Sequence, residues 1–154
     1  GPSPSPQDLV DALVPEVADL VQMFVVHGQE LRLTAYRHIA PAFHSLLEEL
    51  ARIHRPALSH PTDPIAQVIR TREPRLSTWV RREQVERATA DDRVHEMFDV
   101  IQPRNLIIVP LSRDDRSYGA LLVVLSASGR RFVEDDLEFM RELADRVGPL
   151  IRLA

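Results

Sequence analysis

The sequence predicts an α+β fold in which a central antiparallel β-sheet of five to six strands carries helices on both faces. Residues 105–111 and 120–126 are apolar runs rich in β-branched side chains, and residues 112–119 between them are mostly polar. A polar segment of this kind can reverse the chain while both runs are buried, which predicts an antiparallel hairpin. Neither run alternates apolar with polar residues, so we expect helices on both faces and the hairpin in the interior of the sheet.

The N-terminal third predicts a short helix followed by a second hairpin. Ser5 can cap a helix whose first residue is Pro6. Residues 20–27 form an apolar run that predicts the first strand, and residues 31–36 alternate as a half-buried strand does. Gly28 and the residue after it allow a tight reversal between them. We therefore expect these two strands to be neighbours.

The middle of the chain changes to helical periodicity. Apolar residues at three- and four-residue spacing predict a helix over residues 41–53. Asp63-Pro64 can begin a short helix that Glu73-Pro74 ends. Residues 89–92 have the spacing of a capping box for a further helix that stops before a proline. Residues 75–80 are interpreted either as a short strand or as an extended lid segment.

The C-terminal helix carries an apolar surface wider than one helix face. One strip consists of Leu137, Met140, Ala144, Val147, Ile151 and Ala154, and a second strip consists of Phe139, Leu143 and Leu150. A helix of this kind can pack on its own sheet and also contact a helix of another protomer. We expect a homodimer through the N- and C-terminal helices, with an interface formed by Leu9, Leu13, Met140, Ala144, Val147 and Ile151.

Composition excludes several classes of protein. The 154 residues are 44% hydrophobic and 27% charged, which is typical of one globular domain rather than a disordered or membrane protein. The net charge is −4 and no basic stripe is visible, so neither nucleic acid nor a membrane is an expected partner. The chain has no Cys, which excludes disulfides, thiolate metal sites and Cys nucleophiles. Without a signal peptide or a long apolar span, we expect a cytoplasmic location.

The division of the chain is also predicted from composition. Residues 1–7 begin without Met and are rich in Pro and Ser, which indicates a cleavage scar followed by a linker. Residues 8–154 are expected to form a single domain taken from a longer protein. No metal site is predicted, because His44 and Glu48 share a helix face without a third ligand in reach.

Several motifs, taken in chain order, resemble those of one family, the GAF domain. Residues 65–74 resemble its short helix ending in Glu-Pro, and residues 105–111 resemble its strand ending in Val-Pro-Leu. Residues 119–125 are similar to its Gly-Xaa-Leu strand, and residues 131–137 to the start of its closing helix. GAF domains are sensory and regulatory modules of bacterial signalling proteins, with an architecture similar to that of PAS domains and profilin. These motifs are turn and packing signatures, so they indicate fold rather than ligand.

The resemblance implies a non-catalytic sensor or regulatory domain that binds a small ligand or partner and signals through its terminal helices to a covalently linked output domain. The implied parent is a histidine kinase, a serine phosphatase or a cyclic-di-nucleotide enzyme. In the family the ligand lies between the sheet and the short helices, which here corresponds to residues 61–103. The candidate lining residues are Tyr36, Arg70, Trp79, Met97, Phe98 and Ile101. The alternative for these residues is ordinary core packing without a cavity.

Other functions of the family fit the residues less well. A chain without Lys lacks the cyclic-nucleotide signature, and one without Cys cannot attach a bilin or carry out methionine-sulfoxide reductase chemistry. No cofactor is predicted, although a haem sensor stays open through one of His27, His38, His60 and His95. A ligand-free scaffold for dimerisation and partner docking is the other alternative. Arg72 stands where the family usually has Gly, and we expect a local difference in that turn.

Overall fold

The computed structural model describes residues 3–153. Within this range, five strands form one antiparallel sheet in the order β2-β1-β5-β4-β3. The strands are β1 (Leu20–His27), β2 (Glu30–His38), β3 (Arg75–Ser77), β4 (Asn105–Arg113) and β5 (Arg116–Leu125). The helices are α1 (Pro6–Leu13), α2 (His44–Ile53), α3 (Pro64–Thr71), α4 (Arg82–Ala88), α5 (Asp92–Ile101) and α6 (Glu134–Val147). The predicted α+β class, with helices on both faces of the sheet, is confirmed.

The β4–β5 hairpin occupies the predicted interior position, with β5 at the centre of the sheet. Its turn is shorter than the predicted segment 112–119. Only Asp114 and Asp115 lie outside the strands, and both have positive φ angles, 53° and 63°. A two-residue turn of this conformation matches the twist of the flanking strands, so residues assigned to the turn extend the ladder instead.

Gly119 shows why the centre of the sheet is closely packed. It pairs with Val25 of β1, and a Cβ atom at this position would lie 2.3 Å from the carbonyl oxygen of Phe24. No side chain fits there without a shift of the backbone. The Gly-Xaa-Leu motif is therefore a consequence of the close approach of β1 and β5.

Three local predictions in the middle of the chain need correction. Residues 41–43 form a 3₁₀ turn before α2, so the helix begins later than predicted. Helix α4 was not predicted at all. Thr89 ends α4, and Asp91 caps α5 by accepting a hydrogen bond from the backbone N–H of Arg93 at 2.8 Å, so the predicted capping box is wrong. Thr89 serves the preceding helix because a second helix fits between β3 and α5.

The chain start is folded sooner than the predicted division implies. Helix α1 begins at Pro6, and the Ser5 hydroxyl accepts a hydrogen bond from the N–H of Asp8 at 3.1 Å. Pro6 and Gln7 therefore belong to the domain, while Gly1, Pro2 and Ala154 lie outside the described residues. Within residues 3–153, no helix has both the length and the apolar character needed to cross a membrane.

The sheet separates two apolar cores. On one face, α1 and α6 pack on alternate residues of β1, β4 and β5. On the opposite face, α2, α3 and α5 cover the other set of alternate residues, among them Phe24, Ile108 and Leu122. This division follows from the two-residue period of a strand, which sends successive side chains to opposite faces.

Candidate small-molecule site

A cavity of about 380 Å³ lies between the second face of the sheet and helices α2 to α5. Its volume falls within the range of about 300–1,000 Å³ that is usual for small-molecule sites. The floor comes from four strands and consists of Leu20, Gln22, Phe24, Leu122, Val124, Leu106, Arg75 and Ser77. This position, between the sheet and the short helices, is the one that the sequence analysis predicted.

The helical walls are held in place by polar contacts. Arg93 of α5 makes a bidentate pair with Glu49 of α2, with nitrogen–oxygen distances of 2.8 and 2.7 Å. The Thr62 hydroxyl donates to the backbone carbonyl of Arg87 at 2.8 Å, which joins the loop before α3 to the end of α4. The short helices can therefore stand over the sheet without filling the space beneath them.

Three of the six predicted ligand residues line the cavity. Met97, Phe98 and Ile101 project from α5 into it, together with Val94. Met97 is only 1% exposed, while Phe98 is half-buried. Their three- and four-residue spacing places them on one face of the helix, which explains why they share the lining, and their role as ligand residues stays a prediction.

The other three predicted ligand residues lie elsewhere. Tyr36 packs beside His44, with ring centroids 5.4 Å apart. The Arg70 guanidinium donates to the carbonyl oxygens of Leu58 and His60 at 2.6 and 2.9 Å, so it fastens the loop before α3. Trp79 is 71% exposed outside the cavity. These assignments are wrong as lining residues, because Tyr36 and Arg70 make their contacts outside the cavity and Trp79, two residues beyond the end of β3, is exposed.

Gln22 is the polar residue on the floor that sequence reasoning missed. It lies on β1 between Leu20 and Phe24, is 6% exposed, and its side-chain amide makes no hydrogen bond to any residue of the described range 3–153. Because Gln22 lines the cavity, its amide is available to donate to and accept from a ligand or water there. The polar residue in the otherwise apolar run 20–26 was the signal available in the sequence.

Arg75 is the second residue that was missed. Its guanidinium donates to the Gln67 side-chain oxygen at 3.2 Å, and no carboxylate of residues 3–153 lies within 4.0 Å of it. The carboxylate of Asp63 also lines the cavity, but it is 2% exposed and accepts hydrogen bonds at 2.9 Å from the first N–H groups of α3. The unpaired charge of the lining is therefore positive.

His54 stands at the rim where α2 ends. Burial lowers the pKa of its imidazole below the ordinary value of 6.5, although the nearby carboxylates of Asp63 and Asp91 act in the opposite direction. The neutral ring is thus the favoured form near pH 7. Within the described part of the chain, no group of three or more His, Asp or Glu residues could hold a metal ion.

None of the four histidines considered as haem ligands lines the cavity. His27 is exposed at the first hairpin, and His38 is buried against the ring of Phe43. The Nδ1 atom of His60 accepts from the backbone of its own loop, and His95 contacts the carbonyl oxygen of Thr89 at 2.8 Å. Their positions are explained by local packing and hydrogen bonding.

The predicted dimer interface is mostly inside the monomer. Five of its six residues are buried in the core under α1 and α6, namely Leu9, Leu13, Met140, Ala144 and Ile151. The sixth, Val147, is partly buried against the same core. Side chains that cover the sheet of their own chain are not available to a second copy, so this assignment is wrong. The second predicted strip faces outward: Phe139 of α6 is 51% exposed, and Leu150, in the 3₁₀ turn after α6, is 57% exposed.

The family model described as GAF domain matches residues 3–152. The chain belongs to the GAF family. Solved structures agree in fold: the second GAF domain of DevS from Mycobacterium smegmatis has a TM-score of 0.61 and 22% identity, covering 90% of this chain and 83% of that chain. A search of curated proteins finds no match.

Other GAF-like structures come from proteins of different kinds. The GAF domain of a two-component sensor histidine kinase from Bacillus halodurans has a TM-score of 0.61 and 13% identity, over 91% of this chain and 86% of that chain. A type II free methionine-R-sulfoxide reductase from Thermoplasma acidophilum has a TM-score of 0.64 and 15% identity, and the match covers 94% of this chain and 87% of that chain. At such identities the likeness shows the fold alone, and function has to be argued from the site.

Proposed function

We propose that this GAF domain is a non-catalytic sensor that binds a small molecule in the cavity between the sheet and helices α2 to α5. The observation that carries the proposal is a cavity of about 380 Å³ whose floor presents the Gln22 side-chain amide, which makes no hydrogen bond to residues 3–153, among apolar residues. An apolar site with a few convergent polar groups is the usual form of a ligand pocket. The absence of Cys in the chain removes the sulfur chemistry of catalytic relatives.

Signalling through the terminal helix is part of this proposal. Ligand contacts reach β4 and β5 from one face, and α6 packs on β4 from the other. A ligand that changes the position of these strands would therefore bias the position of α6. In a parent kinase, phosphatase or cyclic-di-nucleotide enzyme, α6 would lead to the output domain.

Blocking the cavity tests the proposal. Ala88 lines the cavity at the end of α4, and Ala90 lies just beyond it and is exposed. We expect that small molecules which raise the melting temperature of the wild-type protein fail to do so in Ala88→Phe and still do so in Ala90→Phe. Equal ligand responses in the two variants would contradict a binding site in this cavity.

A second candidate function, a homodimeric scaffold, is favoured by the exposed apolar strip of α6. Phe139 and Leu150 are exposed and Leu143 lies partly buried between them. Two such strips could pack against each other in the manner of a two-helix seam. Phe139→Glu is expected to shift a dimer to a monomer in light scattering, with Arg141→Glu as the control on an exposed neighbouring position. A wild-type chain that stays monomeric at high concentration would contradict the dimer.

A further inference from the structure

The charges around the cavity favour an anionic ligand. Arg75 and Arg87 are the cations of the lining, and Asp63 is its one carboxylate within the described residues. Asp63 already accepts two backbone hydrogen bonds from α3. Arg75 is partly buried and has a neutral amide as its hydrogen-bond partner, whereas Arg87 is exposed to water, so a ligand gains most by neutralising the charge of Arg75.

Strand register places Gln22 and Arg75 at opposite ends of one row. Gln22 pairs with Leu122, Leu122 pairs with Ile108, and Ile108 pairs with Arg75. The row therefore crosses three strand spacings, or about 14 Å between the two outer backbones. All four residues lie on the same face of the sheet, and the two in the middle are apolar.

The middle of the site is suited to a hydrocarbon. Leu106, Leu122 and Val124 form the floor between the two polar ends, and Met97 with Ile101 covers it from α5. An apolar body buried here gains about 25 cal/mol for each Å² removed from water. Polar groups in the same position would lose hydrogen bonds to water without finding partners.

We propose, building on the function proposed above, that the ligand is an amphipathic monocarboxylic acid. Its carboxylate accepts hydrogen bonds from the Arg75 guanidinium, its apolar body lies across Leu122, and a polar group at its far end pairs with the Gln22 amide. A single carboxylate matches Arg75, the one partly buried guanidinium of the lining, next to the neutral Gln67 amide, whereas Arg87 is exposed. A phosphate dianion would need further donors at this end of the cavity.

Calorimetry with matched probes tests this ligand class. The probes are 10-hydroxydecanoate, 1,10-decanediol, decanoate and decyl phosphate, each below its micellar concentration. We expect the wild-type protein to bind 10-hydroxydecanoate at least about tenfold more tightly than the diol, because a charge-assisted hydrogen bond is lost in the diol. Decanoate should bind several-fold more weakly than the hydroxy acid, because it leaves Gln22 without a partner.

Variants assign the two ends of the site. Arg75→Gln is expected to abolish the preference for the acid over the diol, and Arg75→Lys to keep most of it. Gln22→Leu should remove the advantage of 10-hydroxydecanoate over decanoate while keeping the preference for the acid. Arg141→Gln, an exposed arginine on α6, should match the wild type. Circular dichroism of each variant checks that it is folded.

Several results would overturn the ligand class. One is a wild-type protein that binds the diol as tightly as the acid, and another is an unchanged preference in a folded Arg75→Gln variant. Tighter binding of decyl phosphate than of the acid would assign the site to phosphate esters instead. If no probe binds, the carboxylic acid proposal fails, and the responses of Ala88→Phe and Ala90→Phe decide separately whether the cavity is a ligand site.

Discussion

The two faces of the sheet differ in how completely they are covered. On one face α6, a helix of 14 residues, packs together with α1 and buries Met140, Ala144 and Ile151 almost completely. On the other face four helices of seven to ten residues leave a cavity of about 380 Å³. A long helix can present a continuous apolar strip to the sheet, whereas four short helices present separate short strips and here leave space beneath them.

This difference indicates a division of roles within one sheet. The filled face supplies packing energy, because nearly every apolar side chain there is removed from water. The cavity face gives up part of that energy and presents the polar side chains of Gln22 and Arg75 to the cavity, which is typical of a binding site. The comparison can be tested by changes that affect one face and not the other.

The largest expected effect comes from a matched pair of methionines. Met140 is fully buried on the filled face, and Met97 is 1% exposed at the wall of the cavity. Met140→Ala should lower the free energy of unfolding by about 3–5 kcal/mol and Met97→Ala by about 2 kcal/mol, because Met97 already lacks packing partners on one side. Urea denaturation measures both. A loss for Met97→Ala equal to or greater than that for Met140→Ala would contradict the difference between the faces.

A smaller effect of opposite sign is expected at Gln22. Its side-chain amide makes no hydrogen bond to residues 3–153 and lies among apolar residues of the cavity floor, so an apolar residue of similar size completes the apolar lining there. Gln22→Leu should raise the free energy of unfolding by about 1 kcal/mol in the ligand-free protein. Gln29→Leu, at the exposed turn between β1 and β2, is the control and should be nearly neutral. A destabilised Gln22→Leu would mean that the amide is satisfied in the free protein.

The acid side of the stability profile is a further test, with a modest effect. Burial lowers the pKa of His38 and of His54 from the ordinary 6.5, against opposing carboxylates. Just below pH 6.5 the unfolded chain therefore binds more protons than the folded one. The contribution of the two histidines to the free energy of unfolding is fully present above pH 6.5 and is lost as the pH falls from 6.5 through their lowered pKa values. The pKa of Asp19 is lowered overall. Burial raises it, but hydrogen bonds from Ser126 and Ser128 and the charge of Arg130 lower it by more, so the contribution of Asp19 to the free energy of unfolding is lost only below about pH 3.8.

Urea unfolding at pH values between about 7.5 and 5 separates these groups. Wild-type stability should decrease over this range, and His54→Gln and His38→Gln should each flatten the decrease. Asp19 cannot produce it, because its carboxylate stays ionised there. A flat profile in the wild-type protein would contradict the lowered histidine pKa values.

Sequence patterns predicted the sheet better than the site. The apolar runs and alternation typical of strands identified β1, β2, β4 and β5, and the three- and four-residue spacing typical of helices identified α5. Each of these elements buries a long regular surface. Met97, Phe98 and Ile101 were found for the same reason. Helix α4 was missed because it has no buried residue and hence no strong apolar pattern.

The sequence marks Gln22 as unusual, but it cannot predict that Gln22 and Arg75 belong to one site, because that depends on strand register. Arg75 and Gln22 are 53 positions apart in the chain and share a row only after four strands pair. Met140 and Phe139 are neighbours in sequence, yet one is buried and the other exposed. The rotation of a helix around its axis decides such cases, and two adjacent apolar strips leave that rotation undetermined.

The smallest expected effect concerns the turn that supports the cavity face. Arg72 ends α3 with a φ of 62°, in the left-handed region, and its N–H donates to the Val68 carbonyl oxygen at 2.8 Å. Glycine adopts this conformation without the Cβ clash that costs other residues about 1 kcal/mol, although it loses more entropy on folding. Arg72→Gly should therefore raise the free energy of unfolding by about 0.5 kcal/mol, measured by urea denaturation, while Arg72→Ala should not. If both substitutions have the same effect, the gain comes from removing the arginine charge and not from the backbone.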